Sequence, residues 1–189
     1  TIEDDVPTIN NLASGSELSV DEKEISGGSQ SSGSTSIAQG WFETTQGADE
    51  VVAYQLTNIS NTESGLKSGG LDVTISKVSG NAETTTYQGV AGNQVIFTLE
   101  LGDDGHYTYT QFKPLDHAQG SDSLTIPFEV VAIDGDMDAS GAMSLPIEVL
   151  DDQPVVIEEP KGDKRVDEDD ISAIGSDQNQ STQISGNFT

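Results

Sequence analysis

The sequence predicts an all-β chain folded as an antiparallel β-sandwich. Stretches rich in β-branched and aromatic residues alternate apolar and polar with a period of two. Turn signals built on Gly, Asp and Pro separate those stretches at short intervals. Nowhere does an apolar period of about 3.6 residues persist long enough to argue for a helix.

Taken in order, the segment from Ser26 to Ser36 is nearly all Ser and Gly and reads as a flexible loop. Residues 50–56 read as a strand through Val51, Val52, Tyr54 and Leu56. Gly65 to Gly70 reads as a turn or loop, and residues 71–78 alternate over most of their length. Gly89 to Gly92 is a second loop, followed by a strand over 94–100. Gly102-Asp103-Asp104-Gly105 is a hairpin signal, because Asp-Gly supplies the positive φ of a tight turn. The return strand is 106–112, and 123–133 and 142–150 complete the set. Pro127 and Pro146 point to edge positions or bulges, since proline donates no ladder hydrogen bond.

The chain begins to repeat itself before it ends. Asp4-Asp5-Val6-Pro7 returns as Asp151-Asp152-Gln153-Pro154, and Val20-Asp21-Glu22 returns as Val166-Asp167-Glu168. Ser34-Thr35-Ser36-Ile37 returns as Ser181-Thr182-Gln183-Ile184 in the same register, within a residue. The period is about 147 residues, which predicts one complete module over 1–150 and the opening of a second over 151–189, cut from a longer tandem array. Arrays multiply one surface, which favours spacing or display over catalysis.

There are no cysteines, so disulfides and thiolate metal or redox sites are excluded. Acids outnumber bases 33 to 7, a formal net charge of −26, which argues against nucleic acid and anionic membranes as partners. No apolar run approaches the ~20 residues of a membrane-spanning helix. A compact chain this acidic repels itself, and bound Ca²⁺, a cation that takes oxygen ligands, is the expected remedy.

Three groups of acids are candidate ligands. Asp134, Asp136 and Asp138 alternate after a strand, with Gly135 allowing a sharp bend between them. Leu145 stands where the helical calcium hand needs a glutamate, so this is not that motif. Adjacent acids at the module junctions, Asp5 (beside Asp4) and the pair Asp151 and Asp152, repel unless a cation bridges them. Glu22 and its copy Glu168 stand near the start of each module, where an acid completes a junction site begun by the preceding one. Each group also has a plain reading as solvated acidic turn, strand-edge breaker or exposed loop.

Catalytic signals are weak. Neither Gly-x-Ser-x-Gly nor a phosphate-cradling Gly-x-x-x-x-Gly-Lys-Ser/Thr run occurs. His106 and His117 are the only histidines, and His117 is expected to pack or cap a turn. Trp41, the lone tryptophan, is expected to be partly buried. A sugar platform is the alternative, although its repeat counterpart is Asn187.

Several motifs in order carry a resemblance. Asp104-Gly105-His106-Tyr107-Thr108-Tyr109-Thr110, Pro114-Leu115-Asp116-His117, Asp122-Ser123-Leu124-Thr125-Ile126-Pro127-Phe128, Asp134-Gly135-Asp136 and Ile147-Glu148-Val149-Leu150-Asp151-Asp152-Gln153-Pro154 resemble the ~140-residue repeat of giant type I secreted bacterial adhesins, the RTX adhesins. The chain departs at Ala132-Ile133-Asp134, where that repeat has a longer acidic run. The resemblance implies an immunoglobulin-like or cadherin-like sandwich, export to the bacterial surface, and folding outside the cell once calcium is met. It implies a monomeric, non-enzymatic extender whose partners are neighbouring repeats of its own chain, serving cell adhesion and biofilm formation. A glycan- or peptide-binding module of the same adhesin is the alternative.

Overall fold

A computed structural model describes residues 5–31, 33–57, 63–80 and 83–153. They fall in one compact unit, Thr1–Gln153. The expected opening of a second module lies outside the described residues from position 154 onward, and Glu168 with it. The fold is all-β and sandwich-like. Its strands are β1 (Thr8–Leu12), β2 (Ser19–Asp21), β3 (Ser36–Thr45), β4 (Val51–Leu56), β5 (Glu63–Ser68), β6 (Leu71–Gly80), β7 (Thr84–Ala91), β8 (Gln94–Gly102), β9 (His106–Gln111), β10 (Ser123–Asp134) and β11 (Met143–Leu150). A 3-10 turn, Glu22–Glu24, follows β2. Among the described residues no helix is long and apolar enough to cross a membrane.

One sheet has the order β1-β3-β9-β8-β7-β6-β5 and the other β2-β11-β10-β4. Period-two alternation drives both. In β10 the inward set Ile126, Phe128, Val130 and Ala132 is buried, and in β11 so are Leu145, Ile147 and Val149. They face Phe97, Leu99 and Leu101 of β8 and Tyr107 and Tyr109 of β9 in one hydrophobic cluster. Phe128 bridges the sheets, edge-on to Phe97 at 6.1 Å and tilted against Tyr109 at 6.2 Å.

The six strands expected from alternation are all present, and several other readings are corrected. Gly65 and Gly89 were expected in loops but lie inside β5 and β7. Gly89 is accommodated because the Phe97 ring of the neighbouring strand covers it. β7, β6 and β5 extend the larger sheet beyond β8 to seven strands. The turn of that sheet's outermost hairpin is Gly69-Gly70, whose φ values of 58° and 79° only glycine adopts without strain. Pro127 and Pro146 sit opposite one another in β10 and β11, both of which have neighbours on each side. The flanking strands stop short, since β4 pairs only from Val130 and β2 only from Glu148, so neither missing N–H is needed for pairing with a flanking strand. One pairing is parallel rather than antiparallel: β2 lies beside the end of β11, with Leu150 opposite Asp21.

Candidate metal centre

The parallel pairing of β2 with β11 sets the 3-10 turn after β2 next to the residue that follows β11. Asp21 caps that turn, accepting the Lys23 N–H at 3.1 Å and an ion pair from the Lys23 ammonium at 2.5 Å. Glu22, the first residue of the turn, points inward and is 2% exposed. Its Oε1 accepts the Leu115 N–H at 2.7 Å. Leu115 belongs to the segment after β9, which is anchored on the other side by the β5–β6 hairpin. Asp116 accepts the N–H groups of Gly69 and Gly70, both at 2.7 Å, and donates its own N–H to Lys67.

That anchoring delivers His117 to Glu22. The His117 side chain is 5% exposed, and its Nε2 lies 3.4 Å from Glu22 Oε2 without hydrogen-bond alignment. Among the described residues neither ring nitrogen has a hydrogen-bond partner. Asp151 supplies the third group: one ligand atom each from Glu22, His117 and Asp151 lie within 4.8 Å of one another. Burial raises the Glu22 carboxyl above its ordinary value. The Leu115 N–H and His117 oppose that rise, and the Asp151 charge adds to it.

The sequence-expected ligands are thus distributed as follows. Glu22 and Asp151 are brought together. Asp152 is nearby in sequence but is engaged elsewhere, accepting the Ser29 N–H at 2.8 Å and the Ser29 hydroxyl. This contact, with Gln30 N–H donating to Lys23 O at 3.0 Å, holds residues 26–31 against the 3-10 turn, so this half of the Ser/Gly-rich loop is anchored. Asp5 is exposed on the other side of β1 in the chain, and its carbonyl packs so closely on Gly47 that no Cβ would fit there. Asp134 is 1% exposed, and its carboxylate accepts the Asp138 N–H at 2.8 Å while its own N–H donates to Asp138 O at 3.1 Å. Those bonds close a five-residue loop that carries Asp136 and Asp138 on its exposed side, with Met137 at a φ of 78°. The three acids share this loop. They are not a convergent ligand group like that of Glu22, the one such group among the described residues.

His117 is the member that sequence reading missed. Its partners are remote in the chain, and no spacing rule links a histidine after Pro-Leu-Asp to an acid near the start of the module.

A second region gathers polar groups on the outer face of the larger sheet. Trp41 is 43% exposed and lies 5.9 Å from the His106 ring, its cross-strand partner. Beside them is a recess of about 320 Å³ reaching Glu17 and Gln39. An open cleft of about 500 Å³ on the far side of His106 is lined by Glu83, Glu100, Asp103 and Asp104. Asp104 accepts the His106 N–H at 3.0 Å, and its Oδ2 lies 2.9 Å from His106 Nδ1, which holds its carboxyl below the ordinary value.

No curated protein and no solved structure matches the chain. A family described as "Domain of unknown function (DUF5801)" matches residues 17–151. That span runs from just before β2 to the residue after β11 and covers most of the sequence, so the chain belongs to the DUF5801 family.

Proposed function

We propose that this unit is a non-enzymatic, calcium-stabilised extender repeat of a large bacterial surface adhesin, exported through a type I channel and spacing an adhesive region away from the cell. One observation carries the reading. The Asp-Asp-x-Pro string stands just before β1 and returns directly after β11, so one sequence period takes in all eleven strands. A tandem module with one folded body per period is supported by that placement. Its partners are the neighbouring repeats of the same chain.

Calcium suits this chain's acids, because it takes six to eight hard oxygen ligands. Asp5, Asp151 and Asp152 stand at the two boundaries of the repeat, and Glu168 would be contributed by the following one. Asp136 and Asp138 stand on the exposed side of a five-residue loop closed by the buried Asp134, which keeps two carboxylates near each other at the surface. Calcium bound to the folded chain would offset the repulsion of a −26 net charge. The test is thermal unfolding of the chain in chelator, in Ca²⁺ and in Mg²⁺. A site at about a hundredfold excess over its Kd adds ~2.7 kcal/mol, or a rise of roughly 5–10 °C for a domain of this size. A melting curve that calcium leaves unchanged would refute the calcium mechanism.

The exposed Trp41 beside carboxylate-lined recesses favours a second reading, a glycan- or peptide-binding module of the same adhesin. Saturable quenching of the single tryptophan by a glycan panel, lost in Trp41→Ala, would displace the extender reading.

A further inference from the structure

We infer that Glu22, His117 and Asp151 form a binding site for one divalent transition-metal ion of the zinc class. The inference goes beyond the extender reading and does not depend on it.

The first argument is the imidazole. His117 is almost entirely buried, yet among the described residues neither of its ring nitrogens has a hydrogen-bond partner. Burying polar nitrogen unpaired is costly, and such an orphan calls for a missing ligand at that point. The second is aim. The Leu115 N–H fixes Glu22 Oε1, so Oε2 is presented to His117 Nε2 at 3.4 Å. Four-coordinate zinc with ligands at about 2.0–2.1 Å places neighbouring donors roughly 3.3 Å apart. The Glu22–His117 pair already has that separation, and an Asp151 carboxylate oxygen lies within 4.8 Å of both.

Charge and ligand type then select the ion. Glu22 and Asp151 are like charges in a region where Glu22 is cut off from water. A dication bound to two carboxylates and a neutral imidazole brings the net charge of the group to zero. Calcium and magnesium prefer all-oxygen shells, whereas a shell with one imidazole suits zinc and its first-row neighbours. The fourth position would fall to water. The bound ion would join three separate parts of the chain: the 3-10 turn, the segment after β9 and the end of β11.

The test uses the full chain stripped of metal, titrated calorimetrically with Zn²⁺, and separately with Ca²⁺ as competitor. Expected are one tight Zn²⁺ ion per chain, affinity reduced at least about tenfold in His117→Ala and in Asp151→Asn, and no change in His106→Ala. Excess Ca²⁺ should not displace the ion. A second readout needs no variant. Because the chain has only two histidines, imidazole ¹⁵N spectra of the wild-type chain report each directly. Zinc should shift a His117 ring nitrogen into the metal-bound range and leave His106 unmoved. The inference is overturned if Zn²⁺ does not bind, if His117→Ala binds it as tightly as wild type, if Ca²⁺ displaces it, or if the His117 nitrogens do not respond.

Discussion

Replacing Gly89 by alanine probes how closely the larger sheet packs against its neighbour. A Cβ at Gly89 would lie 2.4 Å from both Cε1 and Cζ of Phe97 and 2.8 Å from Cε2. Carbon atoms rest at about 3.5–4.0 Å, so the ring would have to withdraw by roughly 1 Å. It has nowhere to go. Phe97 has no exposed surface, and the rings of Tyr109 and Phe128 lie 5.3 and 6.1 Å from it. Gly89 and Phe97 are direct cross-strand partners in the middle of the sheet, with a register shift only after Gly89, so the added Cβ points straight at the ring. Overfilling a packed core costs about 1–3 kcal/mol, and a ring pinned on both sides puts Gly89→Ala near ~3 kcal/mol. For a domain of this size that lowers the Tm by roughly 6–12 °C. Urea unfolding should show the same loss as a lower midpoint at unchanged slope. Phe97→Leu, which shortens the obstructing group, should relieve the strain, so the double mutant should be more stable than additivity predicts by about 1 kcal/mol or more. A Gly89→Ala protein within about 0.5 kcal/mol of wild type, or an additive cycle, would show that the ring moves freely and refute the packing argument.

Two further outcomes follow from buried polar groups. In chelator, Glu22→Ala removes the acceptor of the Leu115 N–H and should cost about 1–3 kcal/mol in chemical denaturation, whereas Glu22→Gln keeps an acceptor and should cost much less; equal losses would mean that this hydrogen bond contributes nothing. All four tyrosines, Tyr54, Tyr87, Tyr107 and Tyr109, are held above their ordinary pKa by burial, Tyr109 most strongly. A folded-state pKa above the unfolded one means stability that is intact below about pH 10 and lost as pH rises beyond it. Tyrosinate absorbance should therefore appear together with loss of the β-sheet circular dichroism signal, and ionisation well before unfolding would contradict the burial.

Strands whose inward faces are apolar were legible from the sequence, as in β10 with Ile126, Phe128 and Val130. The others hid for identifiable reasons. In β3 the buried side of the first half is Ser36, Ala38 and Gly40, while the larger Ile37 and Trp41 face outward, so its hydrophobic pattern is inverted. The inward positions of β7 include Thr85 and Gly89, which carry little apolar signal. β2 is three residues long and exists because β11 offers it an edge. At the candidate site, pairing of acids pointed to Glu22 and Asp151, but their convergence depends on a parallel contact between the two ends of the module. His117 arrives through hydrogen bonds from Asp116 to a glycine turn in another hairpin. Both are tertiary facts that local periodicity does not encode.

The same parallel contact has a mechanical consequence. β2 lies near the start of the unit and β11 at its close, and they run side by side in the same direction. Tension that reaches β2, past β1 and its pairing with β3, would drag β2 and β11 past each other along their length. Their hydrogen bonds would then be sheared together instead of unzipped singly, so the force to part them would be shared among all of them at once. A unit so connected would resist stretching through Ser19–Asp21 and Glu148–Leu150, whose paired Val20 and Val149 also belong to the core.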